Sequence, residues 1–462
     1  MLSAIILAAG KGTRMKSELP KVLHPVAGKA MVAHVIDAAR GAGAAQIVVV
    51  YGHGGELLPE RLRVDGTDLT FARQEVLNGT AKAVEAALPA LRGECRDVLI
   101  LCGDTPLVDQ ELLREFFEQH RQQGSVVSIL SAQIDQPGSY GRIVRDGQGR
   151  VSGIVEARDA TVGQRAINEV NSGIYAVQRS FLAEALPAVG SDNAQGEYYL
   201  PDIVSIAVAR GLPVEALVTG DFTKTLGVNS RAELAQAGQL LYERTCRRLM
   251  DEGVSILDPR STYIETDVQV GVDTVIYPNV YLEKGTRVGR NCLIRQGCTL
   301  IASSLGDGCT LKDGCYLEEA SVGAHSSLGP YAHLRPQSVL AEEVKIGNFV
   351  EIKKATVGAR SKASHLTYIG DATVGCDVNI GCGTITCNYD GFDKHVTVLE
   401  DGVFVGSDTQ LVAPVRVGRN AMVAAGTTVT RDVPAESLVI SRNEQKVVEG
   451  WATRFRRQKQ KK

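Results

Sequence analysis

Glycines and basic residues follow an apolar stretch at the start of the chain. Residues 4–9 form a continuous apolar run, and Gly10, Lys11, Gly12, Thr13 and Arg14 come directly after it. Backbone N–H groups of such a loop can approach an anion while Lys11 and Arg14 bring positive charge. The spacing matches neither a Walker loop nor a complete dinucleotide-binding fingerprint. From these residues alone, a phosphate site and a simple strand-to-helix turn are equally open.

An aspartate follows a second apolar run. Residues 98–102 are apolar, and the segment Gly103-Asp104-Thr105-Pro106 comes next. A carboxylate just past a buried strand can hold Mg²⁺ against phosphate oxygens. An aspartate shortly before a proline also suits an ordinary turn. The residues leave both interpretations open.

His365 is a candidate proton acceptor in the second half of the chain. An unperturbed imidazole has a pKa near 6.5, which suits removal of a proton from an amine near neutral pH. Considered alone, a single histidine is more often a hydrogen-bonded structural residue. Its surroundings in the sequence change that balance.

Four cysteines suggest a metal site at first. Five residues separate Cys292 from Cys298, and five separate Cys309 from Cys315. Zinc knuckles have two-residue spacers instead. The spacing equals the repeat of this half of the chain, so we expect small interior or corner positions and no metal.

Apolar runs alternate with helical spacing through the first half of the chain. This alternation predicts an α/β domain with a mostly parallel, Rossmann-like sheet, whose ligands bind at the carboxyl ends of the strands. The clearer predicted strands are 47–51, 98–102, 126–131, 174–177 and 214–218, and the predicted helices are 31–40, 81–91, 110–122 and 201–210.

The second half repeats an aliphatic residue followed by glycine, from Val270-Gly271 to Val417-Gly418, at separations such as 6, 12, 17 and 18 residues. A six-residue unit with three units per coil is the signature of a hexapeptide β-helix. The insertion at 388–395 interrupts the repeat and predicts a projecting loop. An amphipathic pattern over 230–252 predicts a connecting helix. We therefore expect domains at 1–231 and 253–462, joined by a helix at 232–252.

Composition limits the class of protein. The chain has 462 residues, a net charge of −3 and 44% hydrophobic residues, typical of a soluble protein without a broad nucleic-acid surface. We expect no signal peptide, no membrane span, reduced thiols and a cytoplasmic location. A basic tail from Arg454 onward predicts a solvated end, with nucleic-acid or membrane binding as a minor alternative.

The motifs of the first half resemble those of sugar-1-phosphate nucleotidyltransferases. The resemblance begins with residues 7–15 and 20–23 and continues in order through Gln74, Gly79, Thr80, Gly103, Asp104, Tyr140, Gly141, Arg142, Glu156 and Asn171. With the second half included, the whole chain resembles the family of bacterial bifunctional N-acetylglucosamine-1-phosphate uridyltransferase/glucosamine-1-phosphate acetyltransferases. That resemblance implies a left-handed β-helix, a homotrimer, and products that feed peptidoglycan and, in some bacteria, lipid A.

The resemblance also implies roles in the first half. Asp104 and Asn229 would coordinate Mg²⁺, and Lys11, Arg14 and Lys21 would face the triphosphate of UTP, with Arg14 and Lys21 catalytic. The remaining residues would bind the nucleotide and the sugar: Leu7, Ala8, Ala9, Gly10, Gln74, Gly79, Thr80, Cys102 and Gly103 for the nucleotide, and Gly141, Glu156 and Asn171 for the sugar. Cys102 stands where the family often has an aromatic residue.

In the second half the resemblance makes His365 the proton acceptor for acetyl transfer. The sugar phosphate would be bound by Arg335, Lys353, Tyr368 and Asn379, and acetyl-CoA by Cys382, Asn388, Tyr389, Ser407, Ala425 and Arg442. Cys382 departs from the family's usual alanine. Glu351 is a further candidate for orienting His365 or the substrate amine.

Two other functions fit parts of the sequence. A nucleotidyltransferase could carry a non-catalytic β-helix for oligomerisation or regulation, but such a scaffold needs neither His365 nor the Asn388-Tyr389 loop. A binding protein on a degenerate catalytic fold would not need Lys21, Asp104, Asn229 and His365 together. The sequence therefore favours the bifunctional enzyme.

Overall fold

The computed structural model describes residues 2–10, 12–52, 54–62, 69–441 and 444–460. Two compact units make up the chain, Met1–Leu241 and Tyr242–Lys462. Leu241 and Tyr242 both lie within one helix, Arg231–Asp251, which corresponds to the helix predicted over 230–252.

The first unit is built on one twisted sheet. The described strands of this unit are β1 (Leu2–Leu7), β2 (Pro25–Val26), β3 (Lys29–Ala30), β4 (Gln46–Tyr51), β5 (Leu69–Arg73), β6 (Asp97–Cys102), β7 (Val127–Gln133), β8 (Arg142–Arg145), β9 (Val151–Val155), β10 (Glu169–Gln178) and β11 (Val214–Val218). The strand order of the sheet is β11-β7-β10-β6-β1-β4-β5, and the hairpin β8–β9 joins at β10.

The sheet is mostly parallel, as the sequence predicted, with β10 as the antiparallel strand of the strand order given above. Strands β4, β1 and β6 are parallel neighbours, but β10 runs antiparallel to both β6 and β7. A parallel return needs a crossover of a dozen residues or more, usually a helix. Between β8 and β10 the only described helix is the four-residue Val162–Arg165, so the chain returns in the opposite direction.

Helices cover both faces of this sheet and bury two apolar cores. The α-helices among the described residues are α1 (Met31–Gly41), α2 (Leu57–Leu62), α3 (Thr80–Ala87), α4 (Gln110–Gln123), α5 (Val162–Arg165), α6 (Arg179–Ala185), α7 (Asp202–Ala209), α8 (Arg231–Asp251) and α9 (Trp451–Gln460). Short 3₁₀ turns occupy Thr13–Met15, Lys21–Leu23, Leu88–Ala90, Leu186–Ala188, Phe222–Thr225 and Pro259–Ser261. The predicted helix 81–91 is α3 followed by the 3₁₀ turn Leu88–Ala90.

The second unit is a left-handed parallel β-helix with three faces, as the hexapeptide repeat predicted. One face holds Gln269–Val270, Arg287–Val288, Ser304–Leu305, Ser321–Val322, Val339–Leu340, Thr397–Leu399 and Val415–Val417. The second holds Ser255–Ile256, Val275–Ile276, Leu293–Ile294, Thr310–Leu311, Ser327–Leu328, Asn379–Ile380, Phe404–Val405, Met422–Val423 and Leu438–Val439. The third holds Tyr263–Ile264, Tyr281–Leu282, Thr299–Ile301, Tyr316–Glu318, His333–Leu334, Ile385–Cys387, Gln410–Val412 and Thr428–Val429.

Two long strands, Lys345–Val357 and Lys362–Val374, pass over all three faces. Each turns two corners at residues with positive φ: Phe349 and Lys354 in the first, Leu366 and Asp371 in the second. The two strands pair in parallel over nearly their whole length. This pairing positions side chains on successive coils directly above one another.

The aliphatic residue of each repeat points into the prism, where it forms a continuous core with Cys246 and Leu249 of α8. The four repeat-spaced cysteines are also in this core, each 2% exposed or less. In the described part of the chain, no group of three or more His, Cys, Asp or Glu side chains could hold a metal ion. The interior-position prediction for these cysteines is therefore confirmed.

Helix α9, by contrast, is exposed along its whole length. Trp451 and Phe455 stack on one another with ring centroids 4.9 Å apart. Among the described residues, no helix is both long and apolar enough to cross a bilayer.

Candidate active sites

A cleft of about 390 Å³ opens at the carboxyl ends of β1 and β6, where the sequence placed a ligand. It brings together most of the residues predicted to bind nucleotide. Its lining is Leu7, Ala8, Ala9, Gly10, Lys21, Val22, Gln74, Leu77, Gly79, Thr80, Ala83, Cys102, Asp104 and Glu197. Gly103 lies directly behind the lining and donates its N–H to the Leu7 carbonyl at 2.9 Å.

Lys21 is the polar centre of this cleft. Its Nζ donates to Asp104 Oδ2 and, at 2.9 Å, to Asn229 Oδ1. The side chains of Lys21 and Asp104 are only 10% and 21% exposed. Two oxygens from distant parts of the chain therefore converge on one point beside the cleft.

Helix α8 contributes to this arrangement through its first turn. Glu233 accepts a hydrogen bond from the Asn229 backbone N–H at 2.6 Å, and its own N–H donates to the Ser230 hydroxyl at 3.2 Å. This resembles a capping box, because a serine and a glutamate three residues apart satisfy the free N–H groups of the helix start. The same contacts fix the backbone that carries the Asn229 side chain.

The glycine-rich loop packs against Lys21. Gly12 has φ +58°, and a Cβ there would lie 2.6 Å from the Lys21 Cβ, so only glycine fits without displacement. Arg14 follows in the 3₁₀ turn Thr13–Met15 and is exposed. Lys11, the other predicted phosphate ligand of this loop, lies outside the described residues.

Gln74 and Gly79 lie together at the other end of the cleft. Gln74 is 5% exposed, and its Nε2 donates to the Gly79 carbonyl at 3.1 Å. Gly79 has φ +132°, and a Cβ there would overlap the backbone of Tyr198. The Thr80 hydroxyl accepts from the Leu200 N–H at 2.9 Å. Gly79 and Thr80, at the start of α3, are therefore held in place by contacts with residues 198–200.

The residues predicted to hold the sugar form a contiguous group. The Asn171 N–H donates to the Gly141 carbonyl at 2.9 Å, and a Cβ on Gly141 would lie 3.1 Å from Glu156 Oε1. A bulge in β10 between Asn171 and Ile174 sets the direction of the Asn171 side chain. Burial, followed by the charges of Asp159 and Asp202, raises the pKa of Glu156.

Asn171 is held at both ends of its amide. Its Nδ2 donates to the Tyr175 hydroxyl at 2.8 Å, and its Oδ1 accepts from the Gly173 N–H at 3.0 Å. Cys102 lies between this group and the cleft, with its Sγ 3.6 Å from the Gly173 carbonyl oxygen. Burial and the neighbouring Asp104 raise the pKa of the Cys102 thiol to about 12, against a smaller opposing effect of Lys21. A neutral thiol thus joins the two parts of the site.

In the second unit, His365 begins a column of residues, one from each successive coil. The pairs Lys362–Asn379, Asn379–Phe404 and Phe404–Met422 fix the register of these coils. A predicted site residue follows each of these four register partners three positions later along the chain. The column therefore consists of His365, Cys382, Ser407 and Ala425. Ser407 and Ala425 are exposed, as is His365.

Cationic and phenolic side chains lie on the neighbouring face. Arg335 donates to Glu351 at 2.9 Å, and Tyr368 stands directly above Glu351 on the next coil. The proximity of Lys353 lowers the pKa of Lys394, as expected for two ammonium groups at close range. Asn379 stands on a different face, in register with Lys362.

The inserted loop leaves the coil after Ile385–Cys387. Asn388 is buried and its Nδ2 donates to Asp371 Oδ2 at 2.5 Å, whereas Tyr389 is 59% exposed. Asp390 closes the loop by accepting from His395 Nε2 at 2.6 Å. Arg442, the last predicted acetyl-CoA ligand, lies outside the described residues.

Several residues at these sites escaped the sequence interpretation: Glu197, Tyr175, Glu233 and Asn348. Asn348 accepts a 2.6 Å hydrogen bond from His365 Nδ1, the place that Glu351 was a candidate to fill. Asn348 precedes His365 by 17 residues, one of the coil periods visible in the sequence. That period was the signal that could have revealed it.

Family models match three parts of the chain. A MobA-like NTP transferase domain matches residues 4–171, a GMPPB C-terminal domain matches 259–365, and a hexapeptide repeat of succinyl-transferase matches 396–431. The nucleotidyltransferase-like motifs and the hexapeptide repeat thus each have a counterpart among known families.

Whole-length relatives are also found. A bifunctional protein GlmU of Geotalea uraniireducens is 51% identical over 450 residues, which cover 97% of this chain and 98% of that protein. The bifunctional protein GlmU of Pelobacter propionicus is 51% identical over 456 residues, 99% of each chain. That of Trichlorobacter lovleyi is 52% identical over 454 residues, 98% of each. Similarity therefore extends across both units.

Proposed function

The chain belongs to the family of bifunctional GlmU proteins, and from this premise we propose which residues carry its two reactions. The protein acetylates glucosamine 1-phosphate and transfers a uridylyl group to N-acetylglucosamine 1-phosphate. UDP-N-acetylglucosamine is the product, and it supplies cell-wall synthesis. Acetyl-CoA and UTP are the proposed donors.

Uridylyl transfer takes place in the cleft at β1 and β6. A phosphate oxygen of the sugar phosphate attacks the α-phosphorus of UTP, and pyrophosphate leaves. For this reaction the protein must mainly align the two substrates and place cations near the phosphate oxygens. Lys21, with Arg14 and Lys11 of the glycine-rich loop, supplies the positive charge. The convergence of Lys21, Asp104 and Asn229 is the observation that carries this assignment.

The remaining cleft residues bind the nucleotide and the sugar. Leu7 to Gly10, with Gln74, Gly79 and Thr80, form the uridine side, where the Gln74 amide is already oriented by Gly79. Glu156 and Asn171 bind sugar hydroxyls next to Gly141. The absence of a side chain on Gly141 leaves room beside the Glu156 carboxyl. Cys102 and Gly103 lie between the two subsites.

Asp104 and Asn229 fit a magnesium ion. Both direct an oxygen to the same Lys21 ammonium, and carboxylate and amide oxygens are the hard ligands that Mg²⁺ takes, together with substrate phosphates. When bound, the ion neutralises charge on the phosphates. Asp104 and Asn229 would hold it, and Lys21 would turn toward the phosphates.

Acetyl transfer takes place along the column that begins at His365. The substrate amine attacks the thioester carbonyl of acetyl-CoA, and His365 takes the amine proton. Cys382, Ser407 and Ala425, with Asn388, Tyr389 and Arg442, bind acetyl-CoA. Arg335, Lys353, Tyr368 and Asn379 bind the sugar phosphate, whose dianion suits paired cations. The alignment of His365 with the three column residues is the observation that supports this assignment.

We infer a homotrimer for the assembled enzyme. Phe404, Met422 and Leu438 stand in one row on the β-helix and are 45%, 50% and 61% exposed. An apolar row of this kind suits contact with another copy of the chain.

The described cysteines are all free thiols, which supports a reducing, cytoplasmic compartment.

A stepwise assay of the purified protein tests the proposed function. With glucosamine 1-phosphate, acetyl-CoA, UTP and Mg²⁺, we expect CoA release followed by pyrophosphate release. Without acetyl-CoA, N-acetylglucosamine 1-phosphate should still release pyrophosphate, whereas glucosamine 1-phosphate should release little. Removal of Mg²⁺ should stop pyrophosphate release and spare CoA release. Absence of CoA release in all mixtures would contradict the bifunctional assignment and favour the scaffold alternative.

A further inference from the structure

The first corner of the two long β-helix strands pairs the predicted proton acceptor, His365, with Asn348, a residue outside the predicted site. Asn348 and His365 are register partners in the parallel ladder of Lys345–Val357 and Lys362–Val374. Asn348 Oδ1 lies 2.6 Å from His365 Nδ1. The contact therefore joins two consecutive coils.

This contact fixes where the imidazole carries its proton. An amide oxygen can only accept a hydrogen bond, so Nδ1 must be the donor. In the neutral ring the other nitrogen, Nε2, then keeps a free lone pair. A histidine side chain in water favours the opposite tautomer, with the proton on Nε2. The partner of Nδ1 therefore decides which nitrogen is basic.

The backbone holds both residues at this corner. Phe349 and Leu366 follow them with φ values of +57° and +42°, so the two strands turn at the same register position. Gly347 precedes Asn348, and a Cβ there would overlap the Ser364 carbonyl. The absence of that Cβ lets the two coils approach where the pair forms. Tyr331 stacks on Phe349 at 5.6 Å and packs the outside of the corner.

The other candidate for orienting His365 has a different partner. Glu351 forms an ion pair with Arg335 at 2.9 Å, and its register partner on the next coil is Tyr368. The residue that contacts His365 is instead Asn348, whose side chain is neutral. A neutral acceptor orients the ring without adding a negative charge beside it.

We propose that Asn348 is a positioning residue of the acetyl-transfer site, which holds His365 in the Nδ1–H tautomer so that Nε2 receives the amine proton. This inference rests on the proposed role of His365. As the new C–N bond forms, one amine proton passes to Nε2, and the Nδ1–H bond to Asn348 is retained. The thioester C–S bond breaks, and the departing CoA sulfur takes the proton from Nε2. Protons and electron pairs are balanced without another reactant.

Imidazole ¹⁵N NMR of the full chain tests the tautomer directly, with His365→Ala used to assign the signal among the 8 histidines. At a pH where His365 is neutral, we expect the Nδ1–H pattern in the wild type and a shift toward Nε2–H in Asn348→Ala. The alanine variant should lose about 10- to 100-fold in kcat for acetyl transfer, by analogy with the loss when residues that orient a metal-ligating histidine are removed. The KM for glucosamine 1-phosphate should change little.

Asn348→Asp provides a conservative rescue, because its carboxylate also accepts from Nδ1. It should restore the Nδ1–H tautomer and recover acetyl transfer relative to Asn348→Ala. Ser321→Ala is the matched control, because it removes an exposed side-chain hydrogen bond, from the Ser304 hydroxyl at 3.1 Å, that also joins two consecutive coils. Uridylyl transfer by the same chains reports the integrity of the first unit.

Two outcomes overturn the proposal. One is an Asn348→Ala variant that keeps the Nδ1–H tautomer; the other is a variant that changes tautomer but keeps its kcat. Failure of the proposed function has a separate signature, because His365→Ala would then retain acetyl transfer whatever the NMR shows. The first of the two outcomes, combined with an equal loss of activity in Asn348→Ala and Asn348→Asp, would indicate a structural role only.

Discussion

The two units build their sites in different ways. In the first, Lys21, Asp104 and Asn229 come from three separate loops and meet at one point. In the second, His365 and its column neighbours come from successive coils of one repeating structure. A loop site depends on many local contacts, whereas a column site depends on the spacing and register of the coils.

This difference predicts how each site fails. A loop residue can be displaced while the sheet beneath it remains intact, because each loop has its own hydrogen bonds. A shift between two coils moves every residue on one of them relative to the next. Substitutions that disturb coil spacing should therefore have larger effects than those that disturb a single loop contact.

Gly347→Ala should have the largest effect. The added Cβ would overlap the Ser364 carbonyl, and backbone cannot move aside as a flexible side chain does. We expect acetyl transfer to be abolished, because Asn348, His365 and the coils around them must separate. Parallel CoA-release and pyrophosphate assays check this. Retention of uridylyl transfer is the internal control, and unchanged acetyl transfer would contradict the importance of coil spacing.

Gly79→Ala is the corresponding change at the loop site. Its φ of +132° and its closeness to the Tyr198 backbone leave no place for a Cβ. Displacement of the Gln74–Gly79 contact by about 1 Å should reduce uridylyl transfer roughly 100-fold and leave acetyl transfer unchanged. Gly190→Ala, where nothing lies within 4 Å of the added Cβ, is the matched control. A small effect of Gly79→Ala would show that this loop adapts.

Glu233→Ala should weaken the magnesium site through Asn229. Loss of the 2.6 Å acceptor frees the Asn229 backbone, and residues that orient a ligand typically contribute 10-fold or more to metal affinity. We expect the Mg²⁺ concentration for half-maximal uridylyl transfer to rise about 10-fold. Mn²⁺ binding followed by its relaxation signal gives a readout independent of turnover.

Glu252→Ala, which removes an exposed ion pair with Arg248 at the far end of α8, is the control for this experiment. Glu233→Gln keeps an acceptor oxygen and should behave more like the wild type. If Glu233→Ala lowered the maximal rate at saturating Mg²⁺ without changing metal affinity, Glu233 would not act through Asn229.

Glu156→Gln should have the smallest effect of these substitutions. It should slightly increase the free energy of unfolding. Burial raises the pKa of Glu156, so the folded state binds its proton more tightly than the unfolded state does. Stability of the wild type therefore falls as pH rises from the unfolded pKa of about 4.3 through the folded value. The glutamine variant has no such loss, so at pH 8 it should be more stable than the wild type.

Thermal unfolding at pH 4 and pH 8 measures this gain, expected as a rise in Tm at the higher pH only. The KM for N-acetylglucosamine 1-phosphate should rise at the same time, since the carboxylate is the proposed sugar ligand. Glu184→Gln, at a glutamate with a 70% exposed side chain, should change neither quantity. Equal shifts at both pH values would contradict the burial explanation.

The sequence was most informative where one local pattern determines structure. The hexapeptide period predicted the β-helix and the interior cysteines, because each coil repeats the same packing. The apolar runs predicted strands such as β11 at 214–218. The antiparallel course of β10 could not be seen, since it depends on pairing with β6 and β7, far away in sequence.

The site residues also divide into those that a local motif predicts and those that depend on contacts distant in sequence. Motif residues such as Asp104 could be named in advance, and the structure places Asp104 beside Lys21. Tyr175 and Glu233 could not, because each acts through a neighbour whose position only the folded chain defines. Asn348 falls between these cases: its 17-residue offset from His365 was visible, but its hydrogen bond was not.

Reciprocal inactivation tests most directly the central claim that one chain carries two separate active sites. His365→Ala and Asp104→Ala should be assayed side by side for CoA release from acetyl-CoA with glucosamine 1-phosphate, and for pyrophosphate release from UTP with N-acetylglucosamine 1-phosphate. We predict that His365→Ala loses only the first reaction, by about 10²- to 10⁴-fold, and that Asp104→Ala loses only the second. Equal loss of both reactions in either variant would contradict the two-site account.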